Sequence, residues 1–572
     1  MGERPFRPEE SQWFRSMVEL SILFLIAVMM LRGFVLEGYL ITTGSMAPGL
    51  LGLHRQVECP ECGFDFAFGM TFDDSLADGQ GEGQKQFARC PNCGQHHINV
   101  DAVPLTHGDQ LLVHKGVFDL RSPRRWETAV FRNPANPGEA YVKRIVGLPG
   151  DELQVIAGDI FLKGRIAQKD LETQRETRIE VFDLAHMAKN DEWQIPWLPV
   201  GGWSVEEGQL TYVNDTGEQS PAGEGKTDWL RFRNWRWHGG GHFTEVPLSG
   251  EAASADWKRC LEAMQNRPIS WLTRLTFDED AGVLRLQGVM SSRMQHDLTE
   301  WTTSREFHDA VFRLAARSHV CPVTDTYGYN TSVALPELAV NDLMIEATFT
   351  WAVPPDAIVV EIPLHDESYR VTLDFERQTA VLSSASSAED LKTVPIPATQ
   401  VNAFGEQSLS LIVSNFDQQI LVALNGVTAF SESPPAVAAP LSVDPLKLTP
   451  AERSEIDRKV LEQHSKVAIG VSASEVQITS LKVYRDVFYT PGRRKNGVEE
   501  AIRVPSNAYF VLGDNSPVSS DSRNWDSPFV PHKLLVGKPF VVHLPSKPGK
   551  VTIGGFQLPI RIPDFERIRY IR

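Results

Sequence analysis

The apolar pattern of the chain opens with an uninterrupted run, Ile22–Leu31, inside a longer segment, Met17–Leu36, of about 20 residues, the length of a bilayer-spanning helix. Glu19 and Arg32 stand near its two ends, where long charged side chains can reach the interfaces. The ten-residue core alone also fits the apolar region of a secretory leader. No small-x-small cleavage pattern follows before Ser45, so the segment reads as an uncleaved anchor. Arg4, Arg7 and Arg15 in the polar residues 1–16 bias the N-terminus toward the cytoplasm, against the acidic Glu3, Glu9 and Glu10.

Past the anchor the pattern is almost wholly of period two. Short strands are predicted over Gln110–His114, Ala129–Arg132, Tyr141–Val146, Glu152–Ala157 and Asp159–Lys163. A second, more regular series follows between Asp342 and Tyr489: Ala347/Phe349/Trp351, Val371/Leu373/Phe375, Leu409/Leu411/Val413, Ile420/Val422/Leu424 and Val467/Ile469/Val471. Asn425-Gly426 between two apolar runs signals a tight hairpin. Evenly spaced short strands of this kind predict a β-sandwich over residues 340–490, similar in pattern to the laminin-G/concanavalin jelly roll. Residues 431–466 interrupt it with a Pro-rich loop and a helix that Thr449, Pro450 and Glu452 are placed to start. The tryptophan-dense stretch 193–237 ends in Arg231–Trp237, RFRNWRW, which reads as a strand with aromatics on one face and arginines on the other.

Composition adds bounds. A chain of 572 residues with 42% apolar and 23% charged residues is ordinary globular material divided among several domains. The net charge of −17 argues against nucleic acid as a partner. Four of the six cysteines form two Cys-x-x-Cys pairs, Cys59/Cys62 in CPECG and Cys90/Cys93 in CPNCG. Two such knuckles build a closed, structural four-cysteine zinc site, here a zinc ribbon over residues 59–97. Disulfides are the competing reading, since an extracytoplasmic compartment oxidises thiols; the knuckle turn in both pairs places zinc first. His96 and His97 are expected to face solvent, and Phe72–Gln86 to form a loop between the knuckles. Cys260 and Cys321 are left either free or bridged.

Three stretches carry candidate chemistry: Ile41–Leu50 (ITTGSMAPGL), Tyr141–Asp151 (YVKRIVGLPGD) and Val511–Trp525 (VLGDNSPVSSDSRNW), with Gly108-Asp109 between the first two. In this order, after an N-terminal apolar segment, they resemble the type I signal peptidases, membrane-bound serine proteases that use a Ser–Lys dyad. The resemblance covers about residues 15–55, 105–165 and 500–545. It implies a mainly β chain: a cytoplasmic N-terminus (1–16), a transmembrane helix (17–36), and an antiparallel β catalytic core in three parts (37–58, 98–165, 501–572). The zinc ribbon and a large insertion, 166–500, interrupt that core. Departures from the family are Thr43, where serine is common, and the two insertions.

The resemblance further implies Ser45 as nucleophile, Lys143 as general base, and an oxyanion hole made by the Ser45 N–H and the Thr43 hydroxyl. It gives Ser519 the task of orienting the Lys143 amine, with Asp521 and Arg523 as an ion pair bracing it. Arg144 supports the site, and Asp514 and Asn515 form turns. A lysine at its usual pKa of about 10.4 is protonated at neutral pH and cannot accept a proton; burial must lower it. No cofactor is implied for catalysis.

The implied partners are signal-peptide-bearing preproteins, cut after Ala-x-Ala-like residues, the lipid bilayer and translocation machinery, at the inner membrane with the catalytic domain outside. A glycan or protein ligand is open for the insertion. Because the matched blocks lie outside it, the insertion is expected to fold independently and to be dispensable for bond cleavage. A membrane-anchored binding protein with a vestigial peptidase core is the alternative. A zinc hydrolase is disfavoured by the closed ligand set, and a self-cleaving repressor by the anchor.

Overall fold

The computed structural model describes residues 8–70, 86–206, 208–213, 227–238, 242–265, 274–330, 337–387, 389–396, 407–434, 448–472, 475–543, 546–553 and 556–571. The loop expected over residues 72–86 lies almost wholly outside them, as does most of the Pro-rich loop.

A helix spans Pro8–Met30 and continues as a π-helical turn, Leu31–Val35. It starts nine residues before the apolar segment does, because the polar residues leading to Met17 contain neither Gly nor Pro after Pro8 and a proline is tolerated in the first turn. It also stops sooner, since Leu36 already belongs to the strand Leu36–Leu40. The window Trp13–Met30 has a mean hydropathy of 1.7 and none of it is buried. Leu20, Leu23 and Phe24 project freely. Apolar exposure of that extent along one helix is what a bilayer covers.

The strand Leu36–Leu40 is the edge of an antiparallel sheet whose order continues Gln110–Lys115, Leu535–His543, Thr128–Arg132, Ala140–Gly147, Ala508–Leu512 and Val530–Pro531, with Arg569–Tyr570 alongside Leu535–His543. A second sheet runs Arg165–Ile166, Asp159–Leu162, Glu152–Ile156, Ile502–Arg503. Both sheets are begun by the first 166 residues and completed by strands after residue 500, so this core closes only when the chain returns. The return is earlier than residue 501: Val487, Tyr489 and Val498 already pack with Leu153, Val155 and Phe510.

The large insertion is a β-sandwich. One sheet runs Trp203–Glu206, Gln209–Tyr212, Val476–Arg485, Leu343–Trp351, Gln407–Ser414, Ile420–Leu424, Val427–Glu432, with Ile179–Asp183 beside Val476–Arg485. The other runs Trp197–Pro199, Asp228–Phe232, Ala468–Ser472, Ala357–Leu364, Glu367–Asp374, Thr379–Ser384, Asp390–Pro395. Phe349, Leu411 and Ile478 from the first meet Ile358, Val371 and Ile469 from the second in one core, as the period-two positions require. Asn425 and Gly426 both have positive φ (47° and 82°) and join the last hairpin in two residues. Thr449 and Glu452 cap the helix Pro450–His464 reciprocally.

The sandwich also draws five strands from residues 179–232, outside the expected 340–490. These strands are three to five residues long, too short for alternation to declare itself. The RFRNWRW strand likewise ends at Phe232. Arg236, instead of facing solvent, donates to the carbonyls of Pro91 and Val181 and clasps the second cysteine knuckle. Residues 242–318 form a further small lobe, in which Phe243–Pro247, Val283–Gln287 and Leu275–Asp278 pack against three helices, Glu251–Gln265, Ser292–Trp301 and Arg305–Ser318, around Leu284, Leu298, Phe307 and Leu314.

The insertion is not a lobe set apart from the core. Near the start of the insertion itself, Lys169 is buried between Asp417 and Asp486 of the sandwich, at 2.6 Å from each. Tyr327 and Tyr329 belong to the same apolar cluster as Ala47 and Leu51, which follow Ser45 in the stretch after the strand Leu36–Leu40.

Candidate active site

Ser45 lies in the turn that follows the edge strand, where Ala47 N donates to Gly44 O at 3.1 Å and Leu50 N to Met46 O at 2.7 Å. Lys143 lies on Ala140–Gly147, opposite Ala129 in the register. Ser45 and Lys143, 98 residues apart in sequence, meet: Lys143 Nζ donates to Ser45 Oγ. The lysine is 3% exposed. Burial lowers its pKa to about 8; Arg523 adds to the lowering, while Asp521 and Asp514 oppose it. The energetic cost of holding an ammonium in this place is what makes the neutral amine accessible.

The third block holds this pair from behind. Arg144, next to the lysine, makes a two-pronged ion pair with Asp514 (2.8 and 2.7 Å) and donates to Trp126 O. Asp514 is thus a buried counter-charge, more than the turn former its sequence context suggested. Asn515 also does more than form a turn: its N–H donates to Ser45 O (3.0 Å) and its Nδ2 to Gly44 O (2.8 Å).

Arg523 and Asp521, both completely buried, pair through Nε–Oδ1 (2.9 Å) and Nη2–Oδ2 (2.6 Å). Asp521 also accepts from Gly513 N, and Arg523 donates to Ser516 Oγ and to Thr490 O. The pair thus ties Gly513, Ser516 and Thr490 together. Removing one member leaves the other charged and buried, so Arg523→Ala is expected to cost about 3–5 kcal/mol, read by thermal or denaturant unfolding of the detergent-solubilised chain; a loss below about 1 kcal/mol contradicts the brace.

Ser519 departs from its expected role. It is buried, but its Oγ has no hydrogen-bond partner among the described residues and does not reach Lys143. Its hydroxyl lies where a Cβ on Gly513 would sit, together with Ser45 O, so only glycine fits at 513. Among the described residues, the one hydrogen bond of Lys143 Nζ is to Ser45 Oγ. Thr43 is exposed two residues before Ser45. Among the described residues no acceptor engages the Ser45 N–H.

Two strand edges border the pair. Leu36–Leu40 pairs on one side only, with Gln110–Lys115. Ala140–Lys143 pairs with Thr128–Arg132, whereas Ala508–Leu512 reaches only Arg144, Ile145 and Gly147 on the other side. Among the described residues no strand pairs with the other side of Leu36–Leu40 or of Ala140–Lys143.

The four clustered cysteines come together at the far end of the hairpin His54–Glu58/Asp65–Gly69. Each knuckle closes identically: Gly63 N donates to Cys59 O and Cys59 N to Phe64 O, Gly94 N to Cys90 O and Cys90 N to Gln95 O. Gly63 and Gly94 have φ of 68° and 79°, which favours glycine there. All four sulfurs lie within 4.8 Å of one another, with Cys59–Cys93 at 3.7 Å and Cys62–Cys90 at 3.6 Å. A disulfide needs about 2.05 Å. A tetrahedral zinc with Zn–S of about 2.3 Å sets its sulfurs about 3.8 Å apart, so the donor set fits that metal. His97 is exposed, but His96 is half-buried against His238, and burial beside Arg89 pushes its pKa down to about 3. Cys260 and Cys321 are free thiols and buried.

Three residues of this region had no signal in the sequence pattern: Tyr327, Tyr329 and Asn330. Tyr327 Oη donates to Ala47 O at 3.0 Å, and Tyr329 Oη to Leu53 O at 3.1 Å. The only sequence cue is the small, aromatic and amide-rich run Tyr327–Asn330 lying outside any alternation.

The family described as "Signal peptidase, peptidase S26" matches residues 101–221 and 455–544, which take in Lys143 and the third block. Relatives include a signal peptidase I of Pseudomonas fluorescens, 28% identical over 118 residues (19% of this chain, 42% of that protein). A probable signal peptidase I-2 of Synechocystis is 38% identical over 68 residues (11% of this chain, 31% of that protein). The chain thus spans less than half the length of these relatives. A solved Caenorhabditis elegans galectin overlaps 25% of this chain and 83% of its own at 12% identity with a TM-score of only 0.17; the sandwich rests on its own strand pairing.

Proposed function

We propose that this chain is a membrane-anchored serine endopeptidase that removes signal peptides from exported preproteins by a Ser45–Lys143 dyad. The observation that carries the reading is the buried Lys143 amine on the Ser45 hydroxyl, with its pKa lowered to about 8. In this mechanism neutral Lys143 takes the Ser45 proton as Oγ attacks the scissile carbonyl. The ammonium then returns the proton to the leaving amine as the C–N bond breaks, and water, deprotonated by the neutral Lys143, cleaves the Ser45 acyl ester, releasing the signal peptide and restoring the Ser45 hydroxyl. The Ser45 N–H, with Thr43, receives the developing oxyanion. The substrate lies extended between the free edges of Leu36–Leu40 and Ala140–Lys143. The helix Pro8–Met30 keeps this cleft at the membrane surface where such chains emerge, with residues before it cytoplasmic. Cys59, Cys62, Cys90 and Cys93 hold a structural zinc, which supplies no step.

The pH–rate profile tests the assignment of the base. The working form is the neutral amine, so kcat/KM on a preprotein is expected to rise about tenfold per pH unit below the midpoint and to level off above about pH 8. A midpoint near about 6.5 would instead belong to a histidine.

A further inference from the structure

Resting on the dyad reading above, we infer that Asn330, on the large insertion, is a positioning residue for the oxyanion-binding peptide of Ser45. Asn330 and Asn515 form a reciprocal amide pair: Asn330 Nδ2 donates to Asn515 Oδ1 at 2.6 Å, and Asn515 Nδ2 to Asn330 Oδ1 at 2.9 Å. Both are buried, Asn330 at 6% exposure and Asn515 at 0%. The same Asn515 Nδ2 donates to Gly44 O at 2.8 Å. The Gly44 carbonyl and the Ser45 N–H belong to one planar trans peptide and point in opposite directions. A donor fixed on that carbonyl therefore fixes where the N–H aims, and polarises it as a donor.

Asn515 can hold this carbonyl only in one amide orientation. With the amide turned over, its oxygen would face Gly44 O. Asn330 holds that orientation: a turn of the Asn515 amide alone would set nitrogen against nitrogen and oxygen against oxygen within the pair, as well as oxygen against Gly44 O. Tyr329 closes the same face: a Cβ on Gly44 would run into its ring. The insertion thus reaches the Ser45 peptide through a two-residue relay.

The test is a double-mutant cycle of Asn330→Ala and Asn515→Ala in the full chain, with kcat and KM measured on a preprotein. Because oxyanion donors act in the transition state, Asn330→Ala is expected to lower kcat about tenfold, less than the 10²–10³ for deleting such a donor, with KM unchanged within about twofold. On the Asn515→Ala background it should add less than about twofold, since its route to Ser45 is already gone. The midpoint of the pH profile should not move. Wild-type kcat in Asn330→Ala, a loss confined to KM, or equal losses on both backgrounds would overturn the inference. If Asn330→Ala unfolds, the isosteric Asn330→Asp, which leaves Asn515 Oδ1 without its donor, is read by the same criteria. Failure of the dyad reading is distinguishable: Ser45→Ala would then still cleave, whereas failure of this inference leaves Ser45→Ala inactive and Asn330→Ala fully active.

Discussion

Lys143→Arg is expected to lower the cleavage rate by about 10⁴-fold or more, and Ser45→Ala at least as far. The arginine keeps the positive charge and much of the length of the side chain it replaces, so loss of charge is not the cause. Its guanidinium cannot give up a proton in a protein, and without a base the Ser45 hydroxyl stays a poor nucleophile. Members of a catalytic unit act together, so the double variant should lose no more than the worse single one. Initial rates on a preprotein, with thermal unfolding as a control for folding, check this. A Lys143→Arg chain within about tenfold of wild type would remove the lysine from the mechanism.

Loss of the metal is expected to be the second largest effect, on stability more than on chemistry. Isolated zinc-finger peptides gain roughly 10–16 kcal/mol from their metal. Here Cys59, Cys62, Cys90 and Cys93 share a core with Phe66, Phe68, Val181 and Trp235, and that packing persists in part without the ion. Chelation, or Cys62→Ser with Cys93→Ser, is therefore expected to cost on the order of 5–10 kcal/mol, seen as a lowered unfolding temperature. Elemental analysis should find one zinc per chain. No metal, with all four thiols oxidised, would contradict the site.

The sequence made the Ser45–Lys143 contact and the cysteine knuckles legible because each sits in a short local signature. It also made the long strands of the sandwich legible: Leu343–Trp351 alternates from Ile345 to Trp351. What it hid is long-range. Of the five short strands between 179 and 232, three (Ile179–Asp183, Gln209–Tyr212 and Asp228–Phe232) take their sheet positions from partners some 240–300 residues later, Val476–Arg485 and Ala468–Ser472. The helices of the 242–318 lobe bury their apolar faces on a three-stranded sheet scattered through the same stretch. The pairing of Arg144 with Asp514, 370 residues away, and the Asn330–Asn515 relay exist only once the chain has returned. Asn330 carries no local pattern at all. Its meaning comes from Gly44, on the opposite side of its partner amide.

The central claim is that Ser45, deprotonated by Lys143, cuts a preprotein at one bond. The most direct measurement incubates the purified, detergent-solubilised chain with a preprotein at about pH 9, where the lysine is largely neutral, and determines the product masses and new N-terminus. A single cut after a small-x-small sequence by the wild-type chain, and none by Ser45→Ala, is the predicted result. The same cut made by Ser45→Ala would contradict the account.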